Sequence, residues 1–242
     1  MDLLAKEIER KGDEIMDTVT TEFGFELSRK ERNERRLHTT TLTYGEVHFR
    51  SFTHILSNVL DQVYELPYEK KSEFKVFYDL GSGTGRALVG AALCHNFQKV
   101  VGIEYLESLH NAAVKVCDSY RALQQRGELP KNAASSDALA AVCGDILAYD
   151  WSDGDIIFAN STCFTMPMFR KIAEKCKDLA VGSYVITYST ELQSPYLKTV
   201  SEKEYVQSWG KCTVFTHIRI ADPTPEEVAA WQPTPDWLKD DE

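Results

Sequence analysis

The spacing of apolar residues changes character along the chain. Leu4, Ile8, Ile15 and Val19 recur at helical spacing behind Asp2, a capping candidate, and predict an amphipathic opening helix. Its charges mix both signs and no Trp or Phe lies on the apolar face, which points to packing rather than membrane anchoring. A polar, basic run follows, Arg29-Lys-Glu-Arg-Asn-Glu-Arg-Arg36. Val47, Ile55, Val59 and Val63, with Phe52, Leu56 and Leu60, then predict a second buried helix face.

From Lys75 the pattern becomes strand–helix alternation. Strands are predicted over Lys75–Leu80, Lys99–Glu104, Leu139–Cys143, Asp155–Ala159 and Val181–Tyr188, with helices over Arg86–His95, Ser108–Gln125 and Met166–Lys177. Short buried runs separated by helices indicate a mostly parallel sheet covered on both faces, an α/β fold. Tyr205–Trp209 and Thr213–Ile220 flank Gly210-Lys211, a plausible hairpin turn. Gly127–Asp137 reads as a loop insertion, and the two Pro-Thr-Pro repeats predict an extended tail. The expected organisation is a helical region over 1–70, a core over 71–220 and a tail over 221–242.

With 242 residues, 43% of them apolar and 26% charged, the chain is globular in composition and long enough to bury a core unaided. Its net charge of −10 argues at first against an anionic partner. From Ala221 onward, however, seven acids face one base, so the tail carries −6 and the remaining 220 residues only −4. Six cysteines stand far apart, with no CxxC and no Cys/His ligand spacing, and neither a disulfide framework nor a structural zinc is expected. With no signal peptide and no apolar run near ~18 residues, the expectation is a soluble protein of a reducing compartment, nuclear or cytoplasmic and not secreted.

The strongest chemical signal is Val76-Phe-Tyr-Asp-Leu-Gly-Ser-Gly-Thr-Gly85, a strand, a glycine-rich turn and a helix start. Gly81, Gly83 and Gly85 let the backbone approach a ligand, Ser82 and Thr84 lie between them, and the next helix presents free N–H groups. The spacing is GxGxG rather than the dinucleotide GxGxxG, with Arg86 where its third glycine would fall. Asp79, two residues ahead of the first glycine, would repel a pyrophosphate and welcome an ammonium. That favours S-adenosylmethionine over a tight turn without ligand. Glu104 ends the next strand where a carboxylate grips a ribose diol. Asp145 could accept from an adenine amino group while Ile146 packs on the ring.

The fourth strand delivers Asn160-Ser-Thr-Cys-Phe164 at its carboxyl end, where ligands of open α/β sheets bind. The sequence has neither an Asn-Pro-Pro-Tyr motif for planar amines nor a Pro-Cys dipeptide for cytosine chemistry. Cys163 is read as a small packing residue. The six histidines form no ligand cluster, so no metal is expected.

These residues resemble the class I S-adenosylmethionine methyltransferases, and more specifically the disruptor-of-telomeric-silencing family, the non-SET methyltransferases of nucleosomal histone H3. The matching features are Tyr44-Gly-Glu46, Asp79-Leu-Gly-Ser-Gly-Thr-Gly85, Gly144-Asp-Ile146, and Ile156-Ile-Phe-Ala-Asn160 leading to Phe164. The resemblance implies a Rossmann-like seven-stranded sheet, parallel except for an antiparallel final strand, with helices on both faces and a helical lead-in. It also implies that Tyr44, Gly45 and Glu46 close over the methionyl end, that Asn160 bonds near that end, and that Phe164 lines a lysine channel. Tyr188 and Phe215 are further channel candidates, and Asn160 is the orienting amide. Several positions depart from the family: Val47 replaces a threonine, Arg86 a glutamine, Ser161-Thr-Cys163 an Asn-Phe-Ala-like run, and Val214-Phe215 tandem tyrosines.

The implied reaction moves a methyl from S-adenosylmethionine to a protein lysine, leaving S-adenosylhomocysteine, with a nucleosomal histone as first-choice substrate. Arg29–Arg36 could add weak DNA contact. Methylation of another protein or a small molecule, or a cofactor-binding non-catalytic partner subunit, are the alternatives.

Overall fold

The computed structural model describes residues 2–37, 42, 45–64, 73–207 and 210–231. Seven strands form one sheet: β1 (Val76–Leu80), β2 (Lys99–Glu104), β3 (Leu139–Cys143), β4 (Ile156–Ala159), β5 (Tyr184–Tyr188), β6 (Leu197–Gln207) and β7 (Gly210–Arg219). Their order across the sheet is β3-β2-β1-β4-β5-β7-β6. The strands β1 to β5 pair in parallel, and β7 runs antiparallel to both β5 and β6, as the family resemblance implies. The order reverses between β1 and its neighbours β2 and β4, the switch point at which open α/β sheets form ligand crevices.

The helices are α1 (Asp2–Met16), α2 (Thr21–Glu34), α3 (Phe49–Leu60), α4 (Arg86–Cys94), α5 (Glu107–Gln125), α6 (Met166–Lys175) and α7 (Pro225–Ala230). The apolar face expected of the opening helix is buried at Ile8 and Ile15, which join the large core with Phe52, Leu56, Val59 and Leu88. α1 stops at Met16, however, and Val19 is buried beyond it at the turn into α2. The basic run Arg29–Arg36 is the second half of α2, its C-cap Arg35 and Arg36 in the turn beyond it. Val47 and Val63 lie outside α3, and Val63 is exposed.

α3 and α4 pack closely because α4 carries Gly90, where a Cβ would stand 2.9 Å from the Phe52 ring. Phe52 also meets Phe77 and Phe158 edge-on, at 6.2 and 5.0 Å between centroids, and so joins the helical layer to β1 and β4. A second cluster under the opposite face unites Tyr78, Trp151, Ile157, Phe169 and Ile172. The loop before β3 is packed as well: the Tyr120 hydroxyl donates to the carbonyls of Ala134 and Ala92.

Two expectations fail near the C-terminus. The hairpin is longer than expected, and Gln207 pairs with Gly210, so Gly210-Lys211 opens β7 instead of forming the turn. Positions 208 and 209, and with them Trp209, lie outside the described residues. The segment expected to be extended instead forms α7, because Thr224-Pro-Glu-Glu227 is a capping box with Pro in the first turn. The second Pro-Thr-Pro, Pro233–Pro235, falls outside the described residues. No helix among the described residues is long and apolar enough to cross a membrane.

Truncating the residue that joins both layers should cost most. Phe52→Ala is expected to lower unfolding free energy by about 3–5 kcal/mol, measured by urea denaturation.

Candidate active site

β1 ends at Leu80 and the chain turns at once through Gly81, Gly83 and Gly85, whose φ angles are 79°, 55° and 91°. These left-handed angles favour glycine, because a side chain there would strain the turn. The Gly81 and Ser82 amides donate to the Ile103 carbonyl at 2.9 and 3.0 Å, which holds the turn against β2. Gly85 caps α4, and a Cβ there would press on Ala113 at 3.3 Å. Above this turn, at the carboxyl ends of β1, β2 and β4, lies a cavity of about 380 Å³.

Four acids line the cavity, Glu46, Asp79, Glu104 and Asp145, against one base, Arg86, among the described residues. Asp79 is buried, and its Oδ2 has no hydrogen-bond partner among the described residues. Burial first, and the neighbouring Glu104 second, push its carboxyl up to about 8, against a smaller lowering effect of the Leu88 amide. Glu104 is also buried; its Oε2 accepts from Gly83 N and its Oε1 from Leu106 N, both at 2.8 Å. Desolvation still raises its carboxyl above the usual range. Asp145 caps its own turn, with Oδ1 accepting from Leu147 N at 2.8 Å.

Glu46 joins three segments. Its Oε1 accepts from Thr84 Oγ1 at 2.9 Å, its Oε2 from Arg86 Nε at 2.9 Å, and Thr21 Oγ1 at the start of α2 donates to it as well. The Arg86 guanidinium also lies over the Phe49 ring, 4.8 Å from its centroid. Asn160 Nδ2 donates to the Gly45 carbonyl at 2.8 Å, so the strand-end amide holds the Gly-Glu segment over the cavity.

Of the residues singled out in the sequence, Gly45, Glu46, Asp79, Gly81, Ser82, Gly83, Thr84, Glu104, Asp145, Ile146, Asn160 and Phe164 all line this cavity. Gly85 shapes it from below. Tyr44 lies outside the described residues. Tyr188 and Phe215 are placed elsewhere. Tyr188 is fully buried with its ring edge-on to Phe158, and Phe215 stacks near His217 on β7, so neither lines the cavity. Both sit on central strands whose side chains are absorbed by the core. Cys163, read as packing, lines the cavity beside Phe164 and Met168. Arg86 and Tyr105 were missed as site residues; each directly follows a residue that was found, Gly85 and Glu104.

The donor set fits S-adenosylmethionine. Asp79 Oδ2 is a buried acceptor left open for an ammonium, and each Glu104 oxygen keeps a lone pair for a ribose hydroxyl. Asp145 and Ile146 would flank an adenine, and Arg86 would face a carboxylate. Two structures of the rRNA methyltransferase AviRa from Streptomyces viridochromogenes share the fold. The first has 13% identity and a TM-score of 0.54, covering 84% of this chain and 96% of that one. The second has 14% identity and a TM-score of 0.52, covering 78% and 90%. Sheet order and likeness together define a Rossmann-like fold, the one class I methyltransferases use. No curated protein sequence matches the chain significantly. The family model "Histone methylation protein DOT1" matches residues 34–217. The chain belongs to that family, and it is a methyltransferase whose cofactor is S-adenosylmethionine.

The raised carboxyl of Asp79 has a stability consequence. It ionises near 3.8 when unexposed to the fold and near 8 within it, so the folded state holds the extra proton across that interval. Stability of the cofactor-free protein therefore falls as pH rises from about 4 to about 8, and this loss is complete above the upper value. Glu104, shifted in the same direction, adds to the slope. Asp79→Asn is expected to flatten the pH dependence of urea unfolding between pH 5 and 8 without abolishing it. An unchanged slope would remove Asp79 as its source.

Proposed function

We propose that the protein methylates a lysine side chain of a histone, with histone H3 in the nucleosome as substrate. The observation that carries this reading is the apolar acceptor end of the cavity, walled by Phe164, Met168 and Cys163, within a chain of the histone methylation family. A lysine amine is charged in water, with a pKa of about 10.4, and must be neutral to accept a methyl. An apolar wall disfavours the ammonium form and so helps shed its proton to solvent before alignment. Among the described residues lining the cavity there is no histidine or lysine to act as a base.

When bound, S-adenosylmethionine supplies a methyl on a sulfonium, a leaving group that needs no acid. The work left to the chain is alignment, an effect worth up to roughly 7–11 kcal/mol of barrier. Asp79 and Glu104 would fix the two ends of the cofactor, Phe164 would direct the amine, and Asn160 would hold Gly45 so that the cavity stays closed on that side.

A nucleosomal substrate places the protein in the nucleus. DNA contact through α2 would be weak. Lys30 and Arg35 pair with Glu34 and Glu31, while Arg29 and Arg36 stand exposed for phosphate.

Incubation with methyl-labelled cofactor and nucleosomes, free histones or cell lysate tests the reading. Label is expected on histone H3 lysine, and label on small metabolites alone would refute it. Phe164→Ala should lower kcat/KM for the histone by at least tenfold while leaving the Kd for S-adenosylhomocysteine within twofold. Equal losses in both would mean that Phe164 serves the cofactor instead.

A further inference from the structure

The last three residues of β6 dock in step on the start of α3. The Tyr205 ring meets that of His54 at 5.8 Å between centroids, and the Val206 carbonyl accepts from Ser51 Oγ at 2.8 Å. Gln207 Oε1 accepts from His48 N at 3.0 Å. Each step of one residue along the strand answers three along the helix.

Polarity is inverted at this end of the strand. Val206 is 61% exposed, whereas the Gln207 amide is turned inward and buried. A buried amide is costly unless it is hydrogen-bonded, and the partner it meets is a backbone N–H of a distant segment. Beside it, desolvation drives the buried Tyr188 phenol far above its usual range, and the Gln207 side chain works against that rise.

His48 is the N-cap of α3 and makes no side-chain capping bond. In a capping box, a Glu or Gln at the third helical position accepts from the N-cap amide. That position is Ser51 here, and its hydroxyl donates to Val206 instead. Gln207 supplies the missing acceptor from β6. Gly45, Glu46 and Val47, immediately before the N-cap, all line the cavity. Asn160 holds Gly45, Thr84 and Arg86 hold Glu46, and Gln207 fixes the far end of the same segment.

We propose that Gln207 is a positioning residue for the cofactor: by capping α3 from β6, it keeps Gly45–Val47 seated over the cavity. Gln207 is absent from the described residues lining the cavity, so it acts through the segment rather than on a ligand. The β6–β7 pair thus completes the cofactor site as well as the sheet. The inference uses the expectation that Gly45 and Glu46 cover the methionyl end, and it holds whichever substrate receives the methyl.

Gln207→Met keeps the length of the side chain and loses its strong acceptor. In the full chain, hydrogen exchange at the His48 amide should quicken about tenfold while the β5–β7 ladder keeps its protection. By calorimetry, S-adenosylhomocysteine should bind about three- to tenfold more weakly. The ligand 5′-methylthioadenosine, which lacks the amino-acid end, should keep its Kd within about twofold. Val206→Ala, one residue away and facing outward, should leave all of these readings unchanged. Unaltered exchange at His48, unaltered affinity for S-adenosylhomocysteine, or an equal loss for both ligands would each overturn the proposal. The same shifts in Val206→Ala would mark a general loosening of the strand and overturn it too. Should Gln207→Met fail to fold, Gln207→Ala takes its place with the same expectations.

Discussion

Glu104 is buried at the tip of β2 with one carboxylate oxygen on Gly83 N and the other on Leu106 N. Those two bonds hold the glycine turn and the entry to α5 at a fixed separation, and the cavity floor is what lies between them. A charged group in such a place is tolerated only because backbone donors surround it. Asp79, one strand over, has only the Leu88 amide for a lowering influence, so burial and Glu104 raise its carboxyl, and its Oδ2 is left open for a cation. The two acids thus divide their labour: one organises the backbone, and the other waits for a ligand.

The N-terminal segments matter because they close what the sheet leaves open. Glu46 reaches from the segment before α3 to Thr84 and Arg86 at the start of α4, and Thr21 reaches it from α2. These bonds cross from the lead-in to the nucleotide-binding half of the sheet. Because α1 shares its core with α3 and α4, the lead-in cannot shift without disturbing the helices that shape the glycine turn. Cofactor site and N-terminal region are mechanically one unit.

The sequence was most readable where geometry leaves little choice. Lys99–Glu104, buried from Val100 onward, and the partly exposed edge strand Leu139–Cys143 both appear at their expected bounds because no polar residue interrupts their apolar runs. The glycine turn was legible because three positive φ angles in so short a stretch strongly favour glycine. Channel residues were harder: an aromatic on a central strand can face core or cavity, and apolar character is the same for both, as Tyr188 and Phe215 illustrate. Tyr105 was missed for the opposite reason, since exposure beside a cavity leaves no periodic trace. The capping box at Thr224 was present in the sequence but was overshadowed by the prolines around it.

The position of β7 between β5 and β6 bears on the order in which the protein is made. β6 leaves the ribosome before β7, yet among the described residues its only ladder partner in the sheet is β7. Until Arg219 has emerged, β5 therefore presents an open edge and β6 remains a single unpaired strand. The last strand among the described residues is an interior one, and its arrival sews two edges at once. Arg219 then closes the seam, exchanging backbone bonds with Gly182 and Ser183 just before β5. A nascent chain stalled short of this point would carry two exposed strand edges, the state in which a chaperone would be needed most.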